Sequence, residues 1–448
     1  MKTSVFKISA LGLLLAGSFS FAQVIVEDQL EPVETPTMRE YLAPEKYNRN
    51  VFEDPKGNEP EFNGVHVSVG GDFALQFQGL SHSTAGVTVD GAPIQMRDLG
   101  TDFNLPTANL DLNAYLAKGV KMHLRTYLSA RHHNEAWVKG GYIQIDNLDF
   151  ISPGFMGNVM DHLRVKVGMD DINFGDNHFR RTDNARAITN MFVGNNIMDA
   201  FTTEPFLEVY GHFNDMFVMG GISNGKLNQN VVLNPTSDNA PTLYAKVGYD
   251  KQINPDLRFR LTGSLLKSNG LTTGQYLYGA DRAGSRYYYV LLDSEAALGT
   301  SNYTTGRFNP GFREMLAFQI NPFVKYRGLE FFGTIENVTG NRLVNPTTRR
   351  DSDGNFMQLA GELIYRFGNA EQYYVGGKYN TVSGKDWDNA DNRNINRFNL
   401  AAGWFMTPNV LAKLEYVNQN YNESAAWGNT PLYGGKFNGV MLEATIGF

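Results

Sequence analysis

Apolar and polar residues alternate with a period of two over unusually long stretches of this chain. The final stretch, 435–448, shows the pattern clearly, because Leu442 and Ile446 fall on one side of an extended chain and Glu443 and Thr445 on the other. Most of these stretches run about 10 to 14 residues, whereas strands of soluble sheets average about 5–6. A tilted strand needs about 9–11 residues to cross a bilayer, so the pattern predicts membrane-spanning strands.

Counting these stretches gives about sixteen strands. The predicted spans are 64–80, 103–117, 120–131, 135–148, 161–170, 203–212, 216–223, 241–250, 256–267, 313–327, 329–338, 355–367, 372–382, 395–405, 409–420 and 435–448. An even count leaves both ends of the barrel on the same side of the membrane. We therefore predict an all-β fold, a closed antiparallel transmembrane β-barrel formed by residues 64–448.

The connections between the predicted strands support this count. With the first strand running outward, the periplasmic turns are 118–119, 213–215, 251–255, 327–328, 368–371, 406–408 and one longer turn, 149–160. The outer connections include 81–102, 171–202, 224–240, 268–312, 339–354, 383–394 and 421–434. Membrane barrels have short periplasmic turns and longer outer loops, which is the alternation seen here.

Aromatic residues with lipid-facing parity cluster at the predicted periplasmic strand ends. They are Tyr249, Tyr326, Tyr365, Phe367, Tyr373, Trp404 and Phe448. Amphipathic rings prefer the headgroup level of a bilayer, so this clustering predicts an aromatic belt around the barrel.

The first residues indicate export. Lys2 and Lys7 precede a short apolar run, 8–15, and a small-x-small site ends at Ala22. The apolar run is much shorter than the roughly 20 residues of a membrane-spanning helix. We therefore predict that residues 1–22 are a secretory signal peptide, after whose removal the formal charge of −7 becomes −9 through loss of Lys2 and Lys7.

Residues 23–63 form a distinct segment with five prolines, ten acidic and four basic residues. The segment has no sustained period, so we expect it to be extended or disordered. We interpret it as a periplasmic spacer or oligomerisation arm. The alternative is that it enters the lumen and closes the pore, attracted by the predicted basic wall at Lys121, Arg125, Arg164 and Arg258.

Composition excludes several classes of chemistry. The chain has no cysteine, which rules out disulfides, thiolate metal sites and cysteine nucleophiles. The negative net charge argues against a nucleic-acid partner. No serine-nucleophile motif, phosphate loop or paired-histidine helix is present, so we expect neither an enzyme nor a cofactor or metal.

The last third of the chain resembles porins of Bacteroidetes-type outer membranes, through 398–404, 413–419 and 434–448. The terminal strand also resembles the one that closes Gram-negative outer-membrane barrels, which implies that Phe448 belongs to the signal read by the barrel-assembly machinery. The resemblance further implies a location among outer-membrane lipid and lipopolysaccharide. It implies passive diffusion of small hydrophilic solutes, with a homotrimer considered as the assembly.

In sixteen-stranded porins the third outer loop folds into the lumen and sets the constriction. The resemblance implies that residues 171–202 form this loop. The expected constriction residues are Asp176, Arg180, Arg181, Asp183 and Arg186. Charges at a narrow point select ions by sign, because the low-dielectric wall focuses the field. The alternative is that these charges pair with each other and only hold the loop.

Inward parity assigns further charges to the wall. The cations of the first half are Lys121, Arg125, Arg164, Lys166, Arg258 and Arg260, whereas the last half is richer in inward acids such as Glu330, Glu362, Glu415 and Glu443. This separation predicts a field across the lumen and a weak preference for anions.

Three other functions stay open. A substrate-specific phosphate or sugar channel would use lumen tyrosines such as Tyr115, Tyr127 and Tyr374. An outer-membrane hydrolase would need a serine–histidine pair, for which Ser81-His82 is the one hint. An adhesion barrel would present the Tyr287–Tyr289 run of loop 268–312 to partners.

Overall fold

The computed structural model describes residues 50, 52–54, 56, 61–89, 91–129, 135–226, 241–269, 277–279, 286–299, 304–342 and 352–448. All described residues belong to one compact unit. The predicted signal peptide, 1–22, and most of the acidic segment, 23–63, lie outside the described residues, so both assignments stay predictions.

Sixteen long strands make up the barrel. They are β1 (His66–Ser83), β2 (Thr107–Ala117), β3 (Val120–Ser129), β4 (Glu135–Ile145), β5 (Leu163–Asp171), β6 (Thr203–Phe213), β7 (Met216–Ser223), β8 (Thr242–Asn254), β9 (Leu257–Asn269), β10 (Glu314–Tyr326), β11 (Leu329–Asn341), β12 (Gly354–Phe367), β13 (Tyr373–Lys385), β14 (Arg393–Thr407), β15 (Val410–Tyr421) and β16 (Lys436–Gly447). Each predicted strand corresponds to one of these.

The sheet closes on itself. Every strand pairs antiparallel with the next, and β1 also pairs with β16, from Asp72 opposite Gly447 to Ser83 opposite Lys436. The terminal residue completes the seam, because Phe448 N donates to Gly71 O at 3.0 Å and Gly71 N donates to Phe448 O at 2.9 Å. The predicted closed antiparallel transmembrane barrel of sixteen strands is confirmed.

The second predicted strand, 103–117, is shorter in the structure. Asp102–Phe103 forms a separate two-residue strand on β1, opposite Gln78 and Phe77, and β2 begins only at Thr107. Pro106 lies between the two pieces and lacks the N–H that a continuous ladder requires. A small antiparallel pair of two-residue strands, Thr88–Val89 and Ala92–Pro93, precedes Asp102–Phe103 in the chain.

The two ends of the barrel differ as expected. At one end, which we call the turn end, most connections are short: 118–119, 146–162, 214–215, 255–256, 327–328, 368–372 and 408–409. The longest of them, 146–162, contains a four-residue helix, α1 (Gly157–Met160). The long connections lie at the opposite, loop end and include 84–106, 172–202 and 270–313.

The barrel has an apolar outside and a polar inside. On β16, Leu442 and Ile446 are exposed, whereas Glu443 and Thr445 are buried in the lumen. The predicted belt is also on the outside, where the rings of Tyr365, Phe367, Tyr373 and Trp404 stack in a row with successive centroids 6.1, 5.6 and 6.2 Å apart. Within the described ranges, no helix is long and apolar enough to cross a membrane.

Candidate functional site

The connection between β5 and β6, which we call loop L3 (172–202), lies inside the barrel. It contains a second short helix, α2 (Asn177–Arg180), and its Phe192, Val193 and Ile197 side chains are fully buried. Inward polar side chains of the far wall hold its backbone. Val193 N donates to Glu415 Oε2 at 2.8 Å, and Met198 N donates to Gln358 Oε1 at 2.9 Å. Loop L3 therefore crosses the lumen at the place that the resemblance implies.

Two glycines let the backbone of loop L3 approach its neighbours closely. Gly175 has φ +68°, and a Cβ atom there would lie 1.7 Å from Gln319 Oε1 on the wall. At Gly194 a Cβ atom would lie 2.1 Å from the Tyr287 hydroxyl. Any side chain at these positions would push the loop away from its seat.

Asp176, one of the predicted constriction residues, is the main anchor of loop L3 on the wall. Arg260 of β9 binds it with two hydrogen bonds, Nε to Oδ2 and Nη2 to Oδ1, both at 2.9 Å. Lys246 Nζ lies 2.7 Å from Asp176 Oδ1, and Thr262 Oγ1 donates to Oδ2 at 2.9 Å. Burial raises the pKa of Asp176, but the charges of Arg260 and Lys246 outweigh it and hold this pKa well below its ordinary range.

Arg180 and Arg181 point in different directions from the end of α2. Arg180 Nη2 lies 3.8 Å from Glu330 Oε2 and 3.7 Å from Glu362 Oε2, on β11 and β12. Arg181 binds Asp199 within the loop, with Nη2 2.7 Å from Oδ2. One arginine thus ties the loop to the wall, and the other ties the loop to itself.

Asp183 and Arg186 form a tight turn in the first part of loop L3. Their backbones bond to each other, with Arg186 N donating to Asp183 O at 2.9 Å. The Asp183 carboxylate accepts a hydrogen bond from Lys139 of β4 and lies 3.5 Å from Arg181 Nη1. Burial raises the pKa of Asp183, but the charges of Lys139 and Arg181 keep the pKa below its ordinary value.

The predicted wall cations all face the lumen, and each lies beside a carboxylate. The pairs are Lys121 with Asp146 (3.2 Å), Arg125 with Asp111 (2.8 Å), Arg164 with Asp146 (2.8 Å), Lys166 with Asp54 (3.9 Å), Arg258 with Asp250 (2.7 Å) and Arg260 with Asp176 (2.9 Å). Each predicted wall cation is therefore part of an ion pair in the structure.

The two halves of the wall are less different in charge than expected. The last half carries buried inward cations as well, namely Arg366, Lys378, Arg397 and Lys413. Inward parity alone would have found these four, and also Lys246. Cations and carboxylates therefore interleave around the lumen, and no simple field from one wall to the other results.

A second loop also enters the lumen from the loop end. This loop, which we call L5 (277–279, 286–299 and 304–312 of the described residues), places Tyr278, Arg286 and Tyr287 in buried positions. Tyr278 donates to Glu336 Oε1 at 2.8 Å, and Tyr287 donates to Glu415 Oε1 at 2.6 Å. Of the tyrosines considered for adhesion, Tyr287 and Tyr288 are fully or almost fully buried, and Tyr289 is partly exposed.

The described part of the acidic N-terminal region, which we call the lumen segment (Asn50, Phe52–Asp54 and Lys56), lies within the barrel. Lys56 Nζ lies 3.3 Å from Asp146 Oδ1, and Arg258 Nη1 donates to the Asn50 carbonyl at 3.0 Å. For these residues the structure differs from the spacer interpretation and agrees with entry into the lumen. The sequence already indicated this position of the segment, because the segment is acidic and the predicted wall is basic.

A narrow polar cavity of about 10 Å³, which we call the eyelet cavity, lies between loop L3 and β11, β12 and β13 and has room for about one water molecule. Its lining contains three cations, two carboxylates, one ring and four amides: Arg180, Arg181, Lys378, Asp199, Glu362, Phe332, Asn177, Asn190, Asn195 and Asn196. The two arginines were predicted as constriction residues, whereas Lys378 and the asparagines were missed.

The alternative sites find less support. Ser81 contacts Asn438, whereas the two ring nitrogens of His82 contact the backbone of Arg97 and Leu291, so this serine and histidine do not form a pair. Tyr374 donates to the Met191 carbonyl at 2.9 Å and serves loop L3. Among the described residues, no group of histidines and acids is arranged to hold a metal ion.

No family model matches the chain, and no curated protein matches it. Among solved structures it is similar to OmpT, an outer membrane protein of Vibrio cholerae, with 10% identity, 87% of this chain and 99% of that chain covered, and a TM-score of 0.49. The outer membrane channel DcaP of Acinetobacter baumannii has 10% identity, coverage of 86% and 98%, and a TM-score of 0.49. An anion-selective porin from Comamonas acidovorans has 10% identity, coverage of 86% and 100%, and a TM-score of 0.46.

Proposed function

We propose that this protein is a porin, a water-filled channel for passive diffusion of small hydrophilic solutes across an outer membrane. The observation that carries the proposal is the sixteen-stranded barrel with loop L3 folded into its lumen, where the loop borders the narrow polar eyelet cavity. Barrels of 16–18 strands are wide enough for an aqueous channel, whereas eight-stranded barrels are filled by their own side chains. A loop that narrows such a barrel converts a wide lumen into a size-limited passage.

The lining of the lumen supports passage of hydrophilic solutes. Inward positions along the strands carry amides, hydroxyls and paired charges, as at Gln76, Asn113, Gln319 and Asn380. These four side chains are themselves buried, so they make the wall polar and hold the lumen loops, as Asn380 does by accepting a hydrogen bond from Ile197 N at 2.7 Å. An apolar lumen would instead exclude water.

Selectivity for anions is the finer part of the proposal. In the eyelet cavity, Arg180, Arg181 and Lys378 outnumber Asp199 and Glu362 by one charge. The amide groups of the lining asparagines add N–H donors, which favour a negative solute. Because each cation also contacts a carboxylate, we expect the preference to be weak.

Location and assembly follow from the same proposal. We infer that residues 1–22 direct export, and that Phe448 is read by the barrel-assembly machinery of a Gram-negative, Bacteroidetes-type bacterium. The apolar belt would then contact outer-membrane lipid and lipopolysaccharide. A homotrimer stays the expected assembly, and neither an enzymatic activity nor a cofactor is part of the proposal.

A substrate-specific phosphate channel is the second candidate, because a cavity with three cations and several amide donors also suits an oxyanion. Competition separates the two functions. Excess phosphate would block the flux of other solutes through a specific channel but leave a general porin almost unaffected.

Swelling of proteoliposomes tests the proposal. We expect uptake of small sugars and amino acids at rates that fall with solute size, with anions entering slightly faster than cations. The Lys378→Gln variant should lose the anion preference, because Lys378 lines the eyelet cavity, whereas Lys267→Gln on the outer face should keep it. Proteoliposomes that contain folded barrels and do not swell would contradict the porin function.

A further inference from the structure

The lumen segment is seated in a built site. Phe52 is buried between the rings of Phe179 and Phe323, with centroids 5.8 and 5.3 Å away. The guanidinium of Arg260 lies over the Phe52 ring, 4.2 Å from its centroid. The aromatic contact fixes the depth of the segment, so the carboxylate of the next residue, Glu53, has a defined position.

Glu53 is bound as a ligand carboxylate would be. Arg260 Nη2 donates to Glu53 Oε2 at 2.5 Å, Lys246 Nζ lies 2.6 Å from Oε1, and Asn173 Nδ2 donates to Oε1 at 3.1 Å. The three donors come from β9, β8 and loop L3, and all three side chains are more than nine-tenths buried. Two cations and an amide converging on one carboxylate give charge-assisted hydrogen bonds to both oxygens.

The charges of this site do not balance without a carboxylate from the segment. The wall and loop L3 contribute Arg258, Arg260 and Lys246 on one side, and Asp176 and Asp250 on the other. These five groups sum to one positive charge, which Glu53 neutralises. A buried charge without a counter-charge is costly, so the site favours an anionic occupant whenever Glu53 leaves.

Space for a solute adjoins the site. A cavity of about 40 Å³ adjoins Glu53 and Asn173. Its charged lining consists of two cations, Arg164 and Lys166, and the acidic residues Glu53, Asp54, Asp170, Asp171 and Glu208. Lys166 also lies over the rings of Tyr142 and Tyr210, 4.7 and 5.8 Å from their centroids. A solute that reaches this cavity lies beside Glu53 and Asn173, and it contacts Arg260 and Lys246 only after Glu53 has moved away.

We propose that Arg260, Lys246 and Asn173 form a binding site for solute carboxylates, and that Glu53 occupies this site in cis until a solute replaces it. The proposal rests on the proposed function, since the solute arrives through the lumen. The side chain of Glu53 stands in for the carboxylate of the solute. Replacement therefore exchanges one carboxylate for another and releases the lumen segment from its seat.

Calorimetric titration of the full-length protein with succinate tests the proposal. In Glu53→Gln the competing carboxylate is absent while the three donors stay, so we expect succinate to bind about tenfold more tightly than to the wild type. Glu61→Gln is the matched control, because Glu61 lies in the same region with an exposed side chain. It removes the same charge and should behave as the wild type, and neutral succinamide should bind to none of the three proteins.

A second readout follows the segment itself. The chain has no cysteine, so Lys56→Cys offers a single thiol for labelling in the lumen segment and leaves the Phe52 ring and the Glu53 carboxylate in place. We expect succinate to increase its rate of labelling several-fold and succinamide to leave the rate unchanged. Labelling that is independent of succinate would overturn the exchange of Glu53 for a solute.

Three outcomes of the titration would overturn the proposal: equal succinate affinities for wild type and Glu53→Gln, binding of succinamide, or inorganic phosphate binding as tightly as succinate with the same dependence on Glu53. The last would mean that the site recognises charge alone. Conductance of the same preparations separates this proposal from the porin function. Conductance without Glu53-dependent binding of succinate would contradict the proposed carboxylate site and leave the porin function standing. Glu53-dependent binding without conductance would contradict the porin function and leave the site standing.

Discussion

Arg260 of β9 and Asp176 of loop L3 form a buried two-point ion pair inside the barrel, with both hydrogen bonds at 2.9 Å. The pair joins the loop that crosses the lumen to the wall that surrounds it. Glu53 of the lumen segment shares Arg260 with Asp176. One guanidinium therefore holds the wall, the constriction loop and the N-terminal region together.

Removing the carboxylate of Asp176 should loosen loop L3. Asp176→Asn leaves Arg260 and Lys246 short of one negative charge in a buried site, and breaking a buried pair costs about 3–5 kcal/mol. We expect a lower unfolding temperature of the detergent-solubilised barrel, measured by the loss of its compact electrophoretic form on heating. The control is Asp256→Asn, whose partner Arg327 lies in an exposed turn. Equal losses in both variants would contradict the role assigned to Asp176.

The Tyr287 hydroxyl should contribute to holding loop L5 inside the barrel. Tyr287 donates to Glu415 and accepts a hydrogen bond from Asn399, at 2.6 and 2.9 Å. Tyr287→Phe removes one hydrogen bond from each of these two buried side chains, at a cost of about 1–3 kcal/mol. We expect faster proteolysis within loop L5, and no change in Tyr326→Phe, whose ring is exposed on the belt. Unchanged proteolysis in Tyr287→Phe would show that the loop is held elsewhere.

Acid should release the lumen segment only at low pH. Burial raises the pKa of Glu53, but the charges of Arg260 and Lys246 outweigh it and lower the pKa from 4.5 to about 2. Because the folded-state pKa is depressed, the stabilising contribution is complete above the ordinary value and is lost as the pH falls towards about 2. We expect labelling of Lys56→Cys, measured with an acid-tolerant thiol reagent and corrected for the intrinsic pH dependence of the reaction, to stay slow down to about pH 3.5. A release centred at the ordinary pKa of 4.5 would contradict the ion pairs of Glu53.

Phe448 should matter for assembly and little for the folded state. Its backbone makes two hydrogen bonds with Gly71, whereas its ring is 66% exposed. Phe448→Ala keeps the backbone seam, so the refolded barrel should unfold within about 1 kcal/mol of the wild type. In cells we expect a several-fold lower level in the outer membrane. Normal levels in the membrane would show that Phe448 is not part of the assembly signal.

The period-two alternation of apolar and polar residues predicts most of the fold. It places Leu442 outside and Glu443 inside, and it gives the number and order of the strands, because alternation reports which face of a strand each residue occupies. The alternation does not show which side chains contact each other. Asp176 and Arg260 are 84 residues apart, and only the closed barrel brings the loop and the ninth strand together. The ion pairs of the lumen were therefore beyond the reach of pattern alone.

The loops and the N-terminal region were predictable only in part. Loop L3 was placed in the lumen by resemblance, whereas loop L5 was expected at the surface, since the hydroxyls and rings of Tyr287 and Tyr288 suit either a partner or a polar lumen. Glu53 lies in a proline-rich stretch without a period, so no local signal indicated its seat. Lys246, by contrast, has the same inward parity as the predicted cations and was accessible to sequence reasoning.

The reversal potential of the purified protein in a planar bilayer, under a gradient of KCl, tests the central claim most directly. The account predicts stepwise conductance and a reversal potential displaced modestly towards that of chloride, through an eyelet cavity lined by Arg180, Arg181 and Lys378. Conductance with a preference for potassium would overturn the weak anion selectivity. Barrels that are folded, as judged by their compact electrophoretic form, and yet pass no current would contradict the porin function itself.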